Sequence, residues 1–414
     1  MTNSAPRERQ KNTSQKNALK FVLLIGVLSF FSDFTYEGSR SIVGPYLALL
    51  GASAFAIAAI TGFGELVGYG LRLISGRMAD ATGRFWPITI LGYLVQMSSV
   101  PLLALARSWE IAAFLVILER VGKAIRNPPR DVMLSHAGKQ IGRGWAFGVH
   151  EALDQFGALF GPLLIAIILA KHGKYQLAFA VLLIPGMVCL AFLFVARWLY
   201  PKPQDMEVEV PTVETHGISK IFWLYLSAAA LVAGGFVDYP LIAYHLQHTS
   251  IVSKDIIPVF YAVAMGISGL GSLVLGRVYD RAGFSILIFL TAVTALFAPF
   301  IFWGTFWISL AGAALWGLGM GVHESLIPAV VAEMVPGERR ASAYGLFTTG
   351  YGAFWFLGSV AIGFLYQQSI SATITFCVVL ELAAIPILIT VRRQFRMSTR
   401  TGHAGIRIKP NLRG

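Results

Sequence analysis

The chain has 414 residues, of which 56% are hydrophobic and only 13% charged, and its formal net charge is +12. An ordinary soluble domain carries about 25% charged residues, so this chain cannot cover itself in water, and a soluble enzyme or a nucleic-acid-binding module is excluded. A basic tail beside an anionic membrane surface accounts for the positive excess without a nucleic-acid partner.

A bilayer core of roughly 30 Å needs about 20 apolar residues per helix. Phe85 to Ala106, Tyr175 to Ala196 and Ile256 to Gly276 reach that length with no charge between their ends, and Phe284 to Val322 and Ala341 to Leu380 are long enough for most of two crossings each. Backbone groups in lipid must be bonded internally, so these segments are expected to be helices. In chain order, residues 1–18 read as a polar tail. Predicted spans follow at 19–47, 53–75, 85–106, 109–133, 142–169 and 175–198. A linker at 200–219 reads as a flexible tether. The second set lies at 220–247, 256–276, 284–303, 305–333, 341–366 and 371–391, and a basic tail closes the chain at 393–414. The implied domains are two six-helix bundles, 19–199 and 220–392. The expected fold is an all-α polytopic membrane protein of twelve transmembrane helices.

Lys and Arg accumulate on the cytoplasmic side of short loops. Here they gather in the tails and in the loops after spans 2, 4, 6, 8 and 10, whereas the opposite loops hold only Arg107, Lys171, Lys174 and Lys254. Both termini are therefore expected in the cytoplasm. The N-terminal segment lacks the short apolar core and cleavage site of a signal peptide. Cys189 and Cys377 fall inside predicted spans and read as packing residues rather than a disulfide framework.

The loop after span 2 runs Gly76-Arg77-Met78-Ala79-Asp80-Ala81-Thr82-Gly83-Arg84, and the loop after span 8 runs Gly276-Arg277-Val278-Tyr279-Asp280-Arg281-Ala282-Gly283. A shared G-R-x-x-D-x-x-G at matching positions indicates that one six-helix unit occurs twice. The pattern resembles the loop signature of the major facilitator superfamily, G-x-x-x-D-R-x-G-R-R. The first copy departs from it: it lacks the Arg after Asp80 and carries Phe85 in place of the last basic residue. The resemblance covers nearly the whole chain and implies a transporter of the bacterial inner membrane. It also implies a gating role for Gly76, Asp80, Gly83, Arg84, Gly276, Asp280 and Gly283, with Asp80 facing the start of span 11 and Arg130. Gly157, Gly161 and Pro162 on span 5 resemble the G-x-x-x-G-P core of the family's antiporter motif, without the two glycines that should follow; small residues four apart also serve ordinary close packing. Span 4 carries Gly122-Lys123-Ala124-Ile125-Arg126-Asn127-Pro128-Pro129-Arg130-Asp131, similar to a bacterial subgroup with a G-K-x-x-R-x-x-P-R-D segment and varied substrates.

An ionisable side chain near the bilayer centre costs roughly 3 kcal/mol on insertion scales, so it persists where it is paired or lines water. Asp33, Glu37 and Arg40 on span 1 follow i, i+4, i+7 spacing and share a face. Glu65, Tyr69 and Arg72 repeat this on span 2, and Glu119, Lys123, Arg126 and Arg130 extend it along span 4. His150, Glu151 and Asp154 cluster on span 5. Counting Asp131 with these acids, and Arg120 with these bases, pairing across the bundle can offset most of the burial cost. The second half is sparser: Asp238, Tyr239 and His245 on span 7, His323 and Glu324 on span 10, Glu381 on span 12. In the family the resemblance points to, spans 1, 4, 7 and 10 line the central cavity and 2, 5, 8 and 11 form the seam. Asp33, Glu37, Arg40, Lys123, Arg126, His150, Glu151, Asp154, Asp238, Tyr239, His323 and Glu324 are thus the candidate substrate- or proton-binding residues. Glu65, Arg72, Arg120, Arg130 and Asp131 read as structural or gating pairs, and His245 and His248 as solvated residues at the outer boundary.

The expected activity is secondary transport by alternating access: proton-coupled efflux of a small polar or charged solute by a monomer. A proton-coupled importer and an exporter of a metal ion or chelate remain alternatives. No nucleophile with its base, no H-E-x-x-H and no phosphate-binding P-loop occurs, so neither an enzyme nor a cofactor is expected.

Overall fold

The computed structural model describes residues 5–202, 220–334 and 340–404. Twelve helical spans account for nearly all of them. Span 1 is Ala5–Leu49, span 2 Ala54–Thr82, span 3 Phe85–Leu102 with a following turn of 3-10 helix, span 4 Trp109–Ile141 and span 5 Arg143–His172. Span 6 joins Tyr175–Val181 to Leu183–Leu199, and span 7 joins Lys220–Gly235 to Tyr239–His248. Span 8 is Ile257–Ala282. Span 9 joins Phe284–Thr294 to Phe297–Phe302. Span 10 runs Phe306–Gly321, through a π-helical turn at Val322–Leu326, to Ile327–Met334. Span 11 is Arg340–Gln368 and span 12 Ile370–Ala404. Each predicted span falls on one of these helices, but spans 2, 4 and 12 run on to Thr82, Ile141 and Ala404, and the sequence reading missed the interruptions. It also missed that span 1 continues as helix into the polar tail, from Ala5. The tether falls largely on residues 203–219, and the end of the basic tail on 405–414, outside the described residues.

Eleven of the spans are long and apolar enough to cross a bilayer. Span 4 fails that test on composition because of its charges, yet its 33 residues extend about 50 Å at 1.5 Å per residue. It can cross because those charges turn inward: Glu119, Arg120, Arg126 and Arg130 are all buried. The outer faces show the reverse pattern. Leu105, Phe114, Ile184, Phe289 and Leu357 are exposed, and Trp145, Trp198, Trp303 and Trp307 stand exposed near span ends, where indole rings sit at membrane–water boundaries.

The matched loops end on residues that only glycine fits easily. Gly83 caps span 2 at φ +62° and Gly283 caps span 8 at φ +59°, in the left-handed region closed to most L side chains. The side chains of Asp80 and Asp280, and the gate expected of them, lie outside the described residues.

Each half has its own apolar core. One core joins residues of spans 7 to 12, from Phe222 to Val391, and takes in Ala54, Ala58 and Ala158 of the first half at the seams. Two others fill the first half, one around Tyr46, Leu103 and Phe179 and the other around Phe21, Tyr93 and Leu193. Between the halves the seams run where the resemblance implied. Span 2 meets span 11 where Gly62 abuts Ser359 and Gly352 abuts Tyr69, and span 5 meets span 8 where Gly269 abuts Gln155. On the side away from the chain termini the halves touch again. Gly44 of span 1 lies against the carbonyl of Pro240 on span 7, Tyr175 Oη donates to Gln247 Oε1 at 2.9 Å, and Lys254 Nζ donates to the Gly173 carbonyl at 2.9 Å.

Candidate functional site

Span 1 supplies the first row of the site. Its helical spacing turns Asp33, Glu37 and Arg40 inward, all buried, and each finds a partner on a different element. Asp33 Oδ1 lies 3.4 Å from Arg126 Nη2 of span 4. Arg126, fully buried, also donates to Gln96 Oε1 at 2.5 Å and to Tyr93 Oη at 2.8 Å, with its guanidinium over the Tyr93 ring. Gln96 passes the chain on, donating to Glu119 Oε1 at 2.8 Å. This chain of partners is why a full charge persists in an apolar interior: each nitrogen of the fork has an acceptor.

Arg40 joins the two halves. Its Nη2 sits 3.3 Å from Glu65 Oε1 of span 2 and 3.2 Å from Asp238 Oδ1 of span 7, and its Nη1 donates to Tyr36. Arg120 meets the same Glu65 oxygen at 2.8 Å and lies 3.7 Å from Glu119 Oε2. Glu65 and Arg120, read from sequence as structural or gating residues, are therefore bound into one network with the candidate residues Arg40 and Asp238. A small pocket adjoins this network, lined by Tyr36, Ser39, Arg40, Glu119, Arg120 and Pro240 among others. Glu37 reaches the other half independently, accepting from Tyr261 Oη of span 8 at 2.5 Å.

Asp238 owes its position to a broken helix. Span 7 stops at Gly235 and resumes at Tyr239, with Asp238 at the N-cap in an extended conformation (φ −66°, ψ 139°). Its second oxygen accepts from Trp355 Nε1 at 3.2 Å. Interrupted helices near the bilayer midplane are a recurring device of transporters, because freed backbone groups and helix ends face the cavity. Continuous apolarity hid this break from the sequence.

A second group stays unpaired. Glu151 on span 5 and Glu324 on span 10 are solvent-accessible, and Lys123 and Asp154 are partly so. Among the described residues none of the four enters an ion pair. Lys123 Nζ lies 3.8 Å from the Tyr36 ring centroid, Glu151 accepts from Gln155 at 3.0 Å, and Asp154 Oδ1 is buried with no hydrogen-bond partner. Glu324 is in electrostatic reach of Glu151, Glu37, Lys123 and Arg40, which brings charges of both halves near one another. Glu151 lies about 12 Å into span 5 from the side of the termini, and Glu324 about 27 Å into span 10 from the other side. Both therefore lie nearer the side of the termini than the contact at Gly44 and Pro240 does. Glu324 sits on the π-helical turn, a distortion frequent at functional sites.

Several candidates take other positions. Tyr239 is fully buried and donates to the Ile257 carbonyl at 2.8 Å, which makes it a brace between spans 7 and 8. His323 is packed among Phe236, Tyr351 and Trp355 and bonded to Tyr351. His150 is bonded to Ser29 Oγ at 2.7 Å, and Ser29 accepts from Arg130 at 3.4 Å; Arg130 in turn pairs with its neighbour Asp131 at 2.8 Å. His245, expected in a solvated position, is instead buried and bonded to Tyr366 Oη at 2.8 Å. On span 5, Gly157 and Gly161 lie against the Phe30 and Phe34 carbonyls of span 1, so the G-x-x-x-G-P segment serves close helix packing here. Cys189 and Cys377 are free and buried. Among the described residues no three His, Cys, Asp or Glu side chains gather as a metal site.

Two helical bundles with charged and polar side chains meeting between them are the architecture of a membrane transporter. The sequence matches the Major Facilitator Superfamily over residues 23–303 and 224–409, and the chain belongs to that family, whose members are transporters rather than enzymes. An uncharacterized protein of Mycobacterium tuberculosis is 40% identical over 384 residues, 91% of this chain and 94% of that protein. The multidrug resistance protein MdtH of Cronobacter sakazakii is 27% identical over 214 residues, half of each chain. Among solved structures, the nucleoside transporter NupG superimposes with a TM-score of 0.70 at 12% identity, covering 91% of this chain and 99% of NupG.

Proposed function

We propose that the protein exports a small solute carrying both charges, or a single positive one, in exchange for protons. The two halves, 19–199 and 220–392, rock about the central network in a plasma membrane with both termini in the cytoplasm. The observation that carries this reading is the ionic contact across the halves, Arg40 with Asp238 at 3.2 Å, beside the unpaired, water-accessible Lys123, Glu151, Asp154 and Glu324. The paired set supplies a joint that reforms as the bundles rock. The unpaired set supplies a cationic and an anionic contact for a solute, and carboxylates that exchange protons as access alternates. Likeness over half its length to a protein named for multidrug resistance supports the outward direction.

The test is transport into inverted vesicles with an imposed pH gradient, using metals, organic anions, zwitterions, amines and antibiotics as solutes. Uptake of an amine or zwitterion that collapses with the gradient is expected. Asp154→Asn should abolish gradient-driven accumulation while leaving downhill exchange measurable. Undiminished pumping with Asp33, Glu37, Glu151 and Asp154 each neutralised in turn would reject proton coupling through these groups.

A further inference from the structure

The second half holds one carboxylate that belongs to neither group. Glu381 of span 12 is 1% exposed, and its Oε1 has no hydrogen-bond partner. Its Oε2 lies 3.5 Å from Thr294 Oγ1. Among the described residues no Lys, Arg or His forms an ion pair with it.

The helices around it make a bare carboxylate worse. Thr294 is the last residue of the first segment of span 9, and Gly235 is the last residue of the first segment of span 7. A side chain on Gly235 would run into Glu381 Cγ at 3.2 Å, so both helix ends adjoin the carboxylate. A helix C-terminus carries about half a negative charge and carbonyls without intrahelical donors. Two such ends and a carboxylate in an apolar core form a site of one sign only. Helix breaks of this kind present oxygens to coupling cations. Thr294 and Thr291 also line a small pocket inside the second half, with Tyr225 and His323 on its wall. The titratable group that interacts with Glu381 is Cys377, one turn earlier on its own span; Tyr225 and His323 lie on the pocket that Thr294 lines, and among the described residues no further acid lines that pocket.

We propose that Glu381 and Thr294, at the apposed ends of the broken spans 7 and 9, form an exchangeable binding site for a monovalent cation, Na+ or H+. A single negative charge calls for a single positive one, which sets the valence. The site lies within the second half and is separate from the network at Arg40, so it stands whether or not protons move through Asp154.

The test is thermal unfolding of the purified full-length protein in detergent, in two arms: NaCl replacing choline chloride at constant pH, and pH varied without Na+. Glu381→Gln, which keeps the shape of the neutral acid, and Thr294→Val are compared with wild type. A rise of several degrees with Na+ that vanishes in Glu381→Gln and needs about tenfold more Na+ in Thr294→Val identifies sodium. A pH dependence present in wild type and missing from Glu381→Gln identifies the proton. Identical responses of wild type and Glu381→Gln in both arms overturn the proposal, because the residue is then a permanently neutral acid. If Glu381→Gln fails to fold, Thr294→Val alone decides, and wild-type responses in both arms overturn it.

Discussion

The two halves solve the same burial problem with different chemistry. Facing the centre, the first half presents Asp33, Arg40, Glu65, Glu119, Arg120 and Arg126, tied by ion pairs and by Gln96 and Tyr93. The second half presents rings at the same depth: Phe236 packs on Trp316 and Trp355, and Tyr239 on Tyr261 and Trp316. Among the described residues only Asp238 and the Tyr261 hydroxyl bond the first half's central charges directly. A charged interior fails when one partner is removed, because the other is left desolvated; a ring interior fails in proportion to the volume lost. The contrast also suits a rocking joint, in which a polar face can exchange partners against a stiffer apolar one.

That contrast can be broken by single changes. The largest effect is expected for Arg126→Ala, which strands Asp33 and Gln96 and should cost about 3–5 kcal/mol, read as loss of folded protein in a detergent unfolding series. Asp33→Asn combined with Arg126→Gln should recover more than half of it. Trp316→Ala should cost about 3 kcal/mol through the cavity it leaves, with no rescue by any partner change. Asp238→Asn should cost about 1–2 kcal/mol, since Arg40 keeps Glu65. Its clearer signature should be faster labelling of a cysteine placed at Ser39, as the closed side opens more often. The smallest effect is expected at the far contact. Tyr175→Phe removes one hydrogen bond to Gln247 and should cost about 1 kcal/mol, visible only in the rate of opening on that side.

Much of the site was legible because charge in a hydrophobic stretch is conspicuous. Spacing alone put Asp33, Glu37 and Arg40 on one face, and all three point inward. The particular pairings were not legible: Glu65 was expected in a structural or gating pair, but that its carboxylate takes both Arg40 and Arg120 depends on the packing of three spans. Tyr239 looked like a cavity residue, but the Ile257 carbonyl and the Tyr261 and Trp316 rings absorb it; His323 lies on a pocket inside the second half rather than at the centre. His245 misled in the opposite direction, since position near a span end does not reveal that Tyr366 and Phe302 close over it.

By itself the sequence determined that this is a twelve-span, twice-repeated membrane transporter, because apolar length, the bias of basic residues and the G-R-x-x-D-x-x-G repeat act locally or along the chain. Tertiary structure decided where spans 7, 9 and 10 break, which charges are neutralised and which stay exposed to water. Those outcomes depend on what a neighbouring helix offers within about 3 Å, and residues as distant in sequence as Arg40 and Asp238 meet only once both bundles have packed.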